Sequence, residues 1–173
     1  DGTLFWNGLV GIQEKSLAAW LSPMPGALLG RADIPASGQA SIYDQWFDVI
    51  PGETYYSEYS VGVPFAGGGA SATVYFRVLR EDGTATPIEL NRTVLSPNTP
   101  TRLSATYTVP ADVTRICAGA RIYASPSGGS AVFVSGFVLR RAASAELIVD
   151  GAITAAKIAA LTTTANQIAT SAI

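Results

Sequence analysis

The chemistry this chain can offer is set by 13 carboxylates, one cysteine and no histidine among 173 residues. Without histidine the commonest general base and metal ligand is missing, and a serine triad has no base of the usual kind. Cleavage of a sugar bond requires two carboxylates flanking it. Asp44 and Asp48 are close in sequence, yet i and i+4 on a strand lie about 13 Å apart. Either would need an acid brought from elsewhere in the fold. Cys117 sits among small and apolar residues in Arg115-Ile-Cys-Ala-Gly-Ala120, which reads as a packed strand thiol. A lone cysteine permits neither an internal disulfide nor a cysteine zinc site. No phosphate-binding loop, dinucleotide fingerprint or EF-hand loop occurs. The residue types point to binding, and no enzymatic activity or cofactor is expected.

Aromatic side chains carry that expectation, since three Trp and seven Tyr are present. An aromatic ring presents a negative face on which the C–H groups of a sugar can stack. Period-two alternation sorts the rings. Tyr55, Tyr59 and Tyr107 share faces with Val and Leu and are expected in the core. Tyr56, Tyr75 and Tyr123 fall on the opposite faces, beside Glu58, Arg77 and Arg121. If these strands are neighbours, one face carries three rings and charged hydrogen-bonding groups, as a shallow carbohydrate site requires. Cross-strand tyrosine pairs that only stabilise the sheet would give the same pattern. Trp46 joins either face, depending on a bulge near Asp44.

The elements that position these residues are strands. Residues 1 to 38 read as irregular, with short strands near Leu9–Gln13 and Ser16–Leu21. From residue 39 the spacing predicts strands over Gln39–Phe47, Glu53–Val63, Ser71–Arg80, a weaker one over Pro87–Leu95, then Arg102–Val109, Arg115–Tyr123 and Ala131–Arg141. Pro51-Gly52, Asp82-Gly83, Ser96-Pro97 and Pro110-Ala-Asp112 punctuate them as turns. Short alternating strands at regular spacing predict an all-β fold, a two-sheet β-sandwich over residues 1–143, to which the resemblance given below adds the jelly-roll form. The 14% charged fraction is low against a globular average of about 25%. A net charge of −2 gives no nucleic-acid signature, and no apolar run is long enough to span a membrane as a helix. The start at Asp1, without Met, reads as a piece of a longer polypeptide.

Residues 144–173 form a second segment, with a short strand at Leu147–Val149 followed by an Ala-rich stretch. Its apolar residues are too few for a core and too many for water. Ile158, Leu161, Ala165, Ile168 and Ala172 follow the 3-4 spacing of a coiled-coil seam, although Thr162-Thr-Thr164 lowers helix propensity. With Ile153, these residues are expected to join copies of the chain about an axis as a homotrimer.

Two stretches carry a resemblance. Phe47-Asp-Val-Ile-Pro-Gly-Glu-Thr-Tyr55, Ser104-Ala-Thr-Tyr-Thr-Val-Pro110 and Val134-Ser-Gly-Phe-Val-Leu-Arg140 resemble the turn and strands of jelly-roll carbohydrate-binding modules of the family 4/9/22 type. Glu146-Leu-Ile-Val-Asp-Gly-Ala-Ile-Thr-Ala-Ala-Lys-Ile158 is similar to a segment of the tail-tip host-specificity proteins and central tail fibres of long-tailed bacteriophages, where it starts a trimeric stalk. Together they imply a virion domain on a tail tip or fibre. Its implied partners are other tail-tip proteins and a host-surface glycan or protein receptor. A ligand-free spacer within the fibre is the other reading. The binding modules often hold a structural calcium through acids that include one in the closing strand. Ser135 and Gly136 stand there in this chain, which argues against the ion.

Overall fold

The computed structural model describes residues 11–142 apart from 15, 17, 65–68 and 126–127. Ten strands make up this region: β1 (Gly11–Glu14), β2 (Leu28–Ile34), β3 (Gln39–Tyr43), β4 (Phe47–Asp48), β5 (Thr54–Gly62), β6 (Ser71–Arg80), β7 (Ala85–Val94), β8 (Thr101–Thr108), β9 (Val113–Tyr123) and β10 (Ser130–Arg141). All pairings between these strands are antiparallel. One sheet runs β1-β2-β10-β5-β8, and the other runs β3-β9-β6-β7 with β4 continuing the β3 edge against β9. The expected all-β jelly-roll sandwich is the observed fold. The oligomerisation residues Ile153, Ile158, Leu161, Ala165 and Ile168 lie outside the described residues.

Alternation builds the core. Tyr55, Tyr59, Val61 and Val63 of the β5 run face Val74, Phe76 and Val78 of β6 and Ile116, Ala118, Ala120 and Ile122 of β9. Tyr59 stacks on Phe137 with centroids 5.3 Å apart, and Phe76 stacks on Tyr107 at 5.4 Å. Each fully buried side chain of this size removes enough apolar surface from water to contribute about 1.5–3 kcal/mol.

The N-terminal region departs from its expected form. A strand over Leu28–Ile34 replaces the irregular stretch, and a 3₁₀ turn at Ala19–Leu21 replaces the strand expected near Ser16–Leu21. Leu21, Met24, Leu29 and Phe133 form a second apolar cluster on the outside of the first sheet, with Trp20 edge-on to Phe133 at 5.9 Å. Ala18, Trp20 and Leu21 are apolar because they cover the neighbouring sheet, so their hydrophobicity does not mark a strand. The strand expected over Gln39–Phe47 is broken after Tyr43. There the Asp44 amide still donates to the Ala118 carbonyl at 3.2 Å, and pairing resumes at Phe47 opposite Ile116.

Candidate functional site

Strand order divides the expected site in two. Tyr56 and Glu58 lie on β5 of the first sheet, whereas Tyr75, Arg77, Arg121 and Tyr123 lie on β6 and β9 of the second. The two groups point outward from opposite sides of the sandwich. Alternation had placed each ring correctly on an outward face, but it says nothing about which strands pair.

On the first sheet, Tyr56 donates to Glu58, which is paired with Arg102, and the Arg140 guanidinium lies 4.7 Å from the Tyr56 ring centroid. Hydrogen bonds from Arg102 and Tyr56 hold the Glu58 carboxyl below the usual carboxylate range, against the opposing effect of burial. This group is small and satisfied within itself.

The second sheet carries the larger array. In an antiparallel sheet directly paired residues share a face, so Tyr43, Gly119, Tyr75 and Glu89 form one row across β3, β9, β6 and β7. Gly119 leaves the row open at its centre, and the Tyr43 and Tyr75 rings approach to 6.3 Å. Only glycine fits there, since a Cβ would stand 1.9 Å from the Ile42 carbonyl oxygen. Trp46, released by the break after Tyr43, lies at one end of the face, where Arg77 is 5.7 Å from its ring and 5.9 Å from Tyr43.

Arg121 ties the face together. From β9 its Nε donates to Ser41 Oγ on β3 at 2.9 Å. Its terminal nitrogens donate to Glu89 Oε1 on β7 at 2.6 Å and to the Tyr75 hydroxyl on β6 at 3.2 Å. Glu89 also accepts from the Tyr123 hydroxyl at 2.6 Å. Partial burial pushes the Glu89 carboxyl up, but Tyr123 and Arg121 together outweigh it and leave it below the usual range. At the far end Arg92 lies 4.1 Å from the Tyr123 ring centroid and its Nε donates to Ser71 Oγ at 3.0 Å. The result is a continuous band: Trp46, Arg77, Tyr43, Tyr75, Arg121, Glu89, Tyr123, Arg92.

This overlay buries what lies beneath it. Ser71, Thr73, Tyr75 and Cys117 point outward in the register yet are buried, Tyr75 retaining 3% exposure. Burial pushes the Tyr75 hydroxyl up, with Arg121 and Arg77 opposing. Tyr43, Glu89 and Arg92 were not among the expected site residues. Tyr43 was hidden in a strand read as unbroken. Glu89 and Arg92 lie on β7, whose ladder to β6 shifts register between Ala72 and Val74.

A cavity of about 50 Å³ at the mouth between the sheets is lined by Asp44, Ser57, Ala118, Phe137, Val138 and Leu139, so Asp44 is its one carboxylate among the described residues. No group of three His, Cys, Asp or Glu side chains is placed to hold a metal ion among the described residues.

No known family profile matches the chain, and no characterised protein sequence matches it. Solved structures are similar in fold. The CBM22-1 xylan-binding domain of Paenibacillus barcinonensis Xyn10C superposes with a TM-score of 0.56 at 11% identity, over 79% of this chain and 85% of that one. The C-terminal family 22 carbohydrate-binding module of Clostridium thermocellum Xyn10B gives 0.54 at 14% identity, over 79% and 96%. The CBM22-1–GH10 part of the same xylanase, solved with xylohexaose, gives 0.55 at 12% identity over 68% of this chain, which spans 22% of that longer one. At such identity the likeness is one of fold, the jelly-roll β-sandwich that these modules share with this chain.

Proposed function

We propose that this domain binds glycan on the outer face of the β3-β9-β6-β7 sheet and serves host attachment on a bacteriophage tail tip or central tail fibre. The observation that carries the glycan reading is the band itself. Four rings and three guanidinium groups occupy one sheet face of a fold shared with xylan-binding modules. Rings supply stacking faces, and the charged groups supply directional hydrogen bonds to hydroxyls. The tail-fibre reading rests on the resemblance of residues 146–158 to the stalk-forming segment of those proteins. Three copies would raise effective affinity without any stronger single site.

A second reading, a spacer without ligand, is favoured by one feature. Each of Tyr75, Tyr123 and Trp46 already has a guanidinium near its ring, and Tyr75 is buried. On the glycan reading a sugar stacks on the remaining exposed ring surface and bonds to the outer edges of the arginines. Glycan-array binding and isothermal titration on the full chain test the two. Tyr123→Ala and Tyr75→Ala should abolish or strongly weaken a detected signal. An unchanged signal in both removes the face as the site. Sedimentation of the chain with and without residues 144–173 tests the trimer.

A further inference from the structure

Arginine pairing separates this face from the rest of the molecule. Of the nine arginines, six form ion pairs: Arg31, Arg80, Arg102, Arg115, Arg121 and Arg141. Arg77, Arg92 and Arg140 form no direct ion pair among the described residues, although Arg92 acts at longer range on Glu89 and Arg140 on Glu58, and each lies over an aromatic ring. Two of these three flank the Arg121–Glu89 pair on the proposed glycan face. A ring holds a guanidinium flat and restricts its rotamers without supplying a counter-charge in direct contact. The terminal nitrogens remain to receive an anion in bidentate fashion, the Arg92 Nε being held by Ser71 Oγ. Glu89 is the one carboxylate within the band, and Arg121 already neutralises it. Asp44 stands at the margin, with Oδ1 taken by the Gln45 amide at 2.7 Å. A chain of net charge −2 thus carries a local surplus of positive charge on one face.

Spacing adds to the argument. Arg77 and Ser71, the anchor of Arg92, are six residues apart on β6, which places the two free cations near opposite ends of a face about 20 Å long. Between them lie the half-buried Tyr43 and the Arg121–Glu89 pair that covers Tyr75, which suit uncharged sugar edges.

From this we infer that the face selects an acidic glycan, a chain with anionic groups far enough apart to meet Arg77 and Arg92 while the sugars between them lie over the tyrosines. The inference rests on the glycan reading of this face and narrows it. The anionic group is a carboxylate, as in a uronic acid, or a sulfate or phosphate ester, all of which present oxygens to the guanidinium edge.

The test is titration of the full chain with oligogalacturonate, hyaluronate oligomers, dextran sulfate and phosphorylated mannan. Carboxyl-reduced oligogalacturonate, xylohexaose and dextran serve as the neutral set. An acidic probe should bind, weaken as salt rises, and lose roughly ten- to a hundredfold in affinity in Arg77→Gln and in Arg92→Gln. Arg140→Gln, on the opposite sheet, should change nothing, and thermal melts should show all three variants folded. Arg77→Lys, which keeps the charge but loses the fork, should fall between. Binding to carboxylated but not sulfated or phosphorylated probes, or the reverse, identifies the anionic group. Equal affinity for acidic and neutral probes overturns the inference and leaves the glycan reading standing. So does acidic binding that ignores Arg77 and Arg92 while remaining sensitive to Tyr123→Ala. Absence of binding to either set overturns both.

Discussion

The Tyr59 hydroxyl crosses the interior of the sandwich and donates to the Thr73 carbonyl at 2.7 Å. Tyr59 belongs to β5 of one sheet and Thr73 to β6 of the other, so this bond joins the two layers. Thr73 has no partner on β7, where the β6–β7 ladder shifts register, but pairs with Arg121 on β9. The bond gives the fully buried Tyr59 hydroxyl its acceptor. Tyr59→Phe keeps the stack on Phe137 but removes the donor. The expected cost is about 0.5–1.5 kcal/mol, the net contribution of one intramolecular hydrogen bond. Urea unfolding should show a lower midpoint with an unchanged slope, as a loss of stability without a change in exposed surface requires.

Acid should weaken the two charged arrays. Glu58 and Glu89 are both held below their ordinary value of 4.5 in the folded chain. A carboxylate depressed by folding stabilises fully above its unfolded value, and the contribution fades as pH falls through the folded one. Stability should therefore be flat with respect to these groups at neutral pH and decline below about 4.5. Glu58→Gln combined with Glu89→Gln should give a shallower acid limb in denaturant melts taken from pH 6 to pH 2. A limb of unchanged steepness would place the acid sensitivity in other carboxylates.

These residues also show how far the amino-acid sequence can be read. Tyr55 and Tyr59 inside, and Tyr56, Tyr75 and Tyr123 outside, follow from alternation, because successive side chains on a strand point to opposite faces. The joining of Tyr75 with Tyr123, and the separation of Tyr56 from both, depend on β9 pairing with β6 while β5 pairs with β8 and β10. Those pairings are long-range and leave no local period. Outward position also failed to mean exposure. Thr73 and Cys117 point away from the core but lie beneath the side chains of Arg121, Arg77 and their neighbours. The break at Asp44 that delivers Trp46 to the face has no Gly or Pro to announce it.

Trp20 and Gly62 should be energetically coupled. A Cβ on Gly62 would stand 2.7 Å from Cζ3 of Trp20, so the absent side chain makes room for the indole that covers the outside of the first sheet. Gly62→Ala is expected to cost about 1–3 kcal/mol by overpacking. Trp20→Ala should be destabilising alone, since Trp20 packs on the Leu21, Met24, Leu29 and Phe133 cluster. In the double variant the clash has no second partner, and the combined loss should be smaller than the two single losses added. Strict additivity in thermal or urea melts would mean that the indole does not sit against Gly62 in solution.

Cys117 offers a probe of the proposed glycan face from below. It pairs with Arg77 across β9 and β6, faces the same side, and is buried. Burial pushes its thiol up to about 11, with the nearby Arg77 charge opposing. Since the thiolate is the reactive form, labelling by iodoacetamide at pH 8 should be slow in the native chain and fast in denaturant. Arg77→Ala removes part of the cover and should speed native labelling without lowering the melting temperature by more than a few degrees. If an acidic oligosaccharide settles on Arg77, it should slow labelling further in the parent chain and have no effect in Arg77→Ala. Rapid native labelling of the parent chain would show that the side-chain layer over β6 and β9 opens readily, and the rigid, arginine-capped face argued above would then fail.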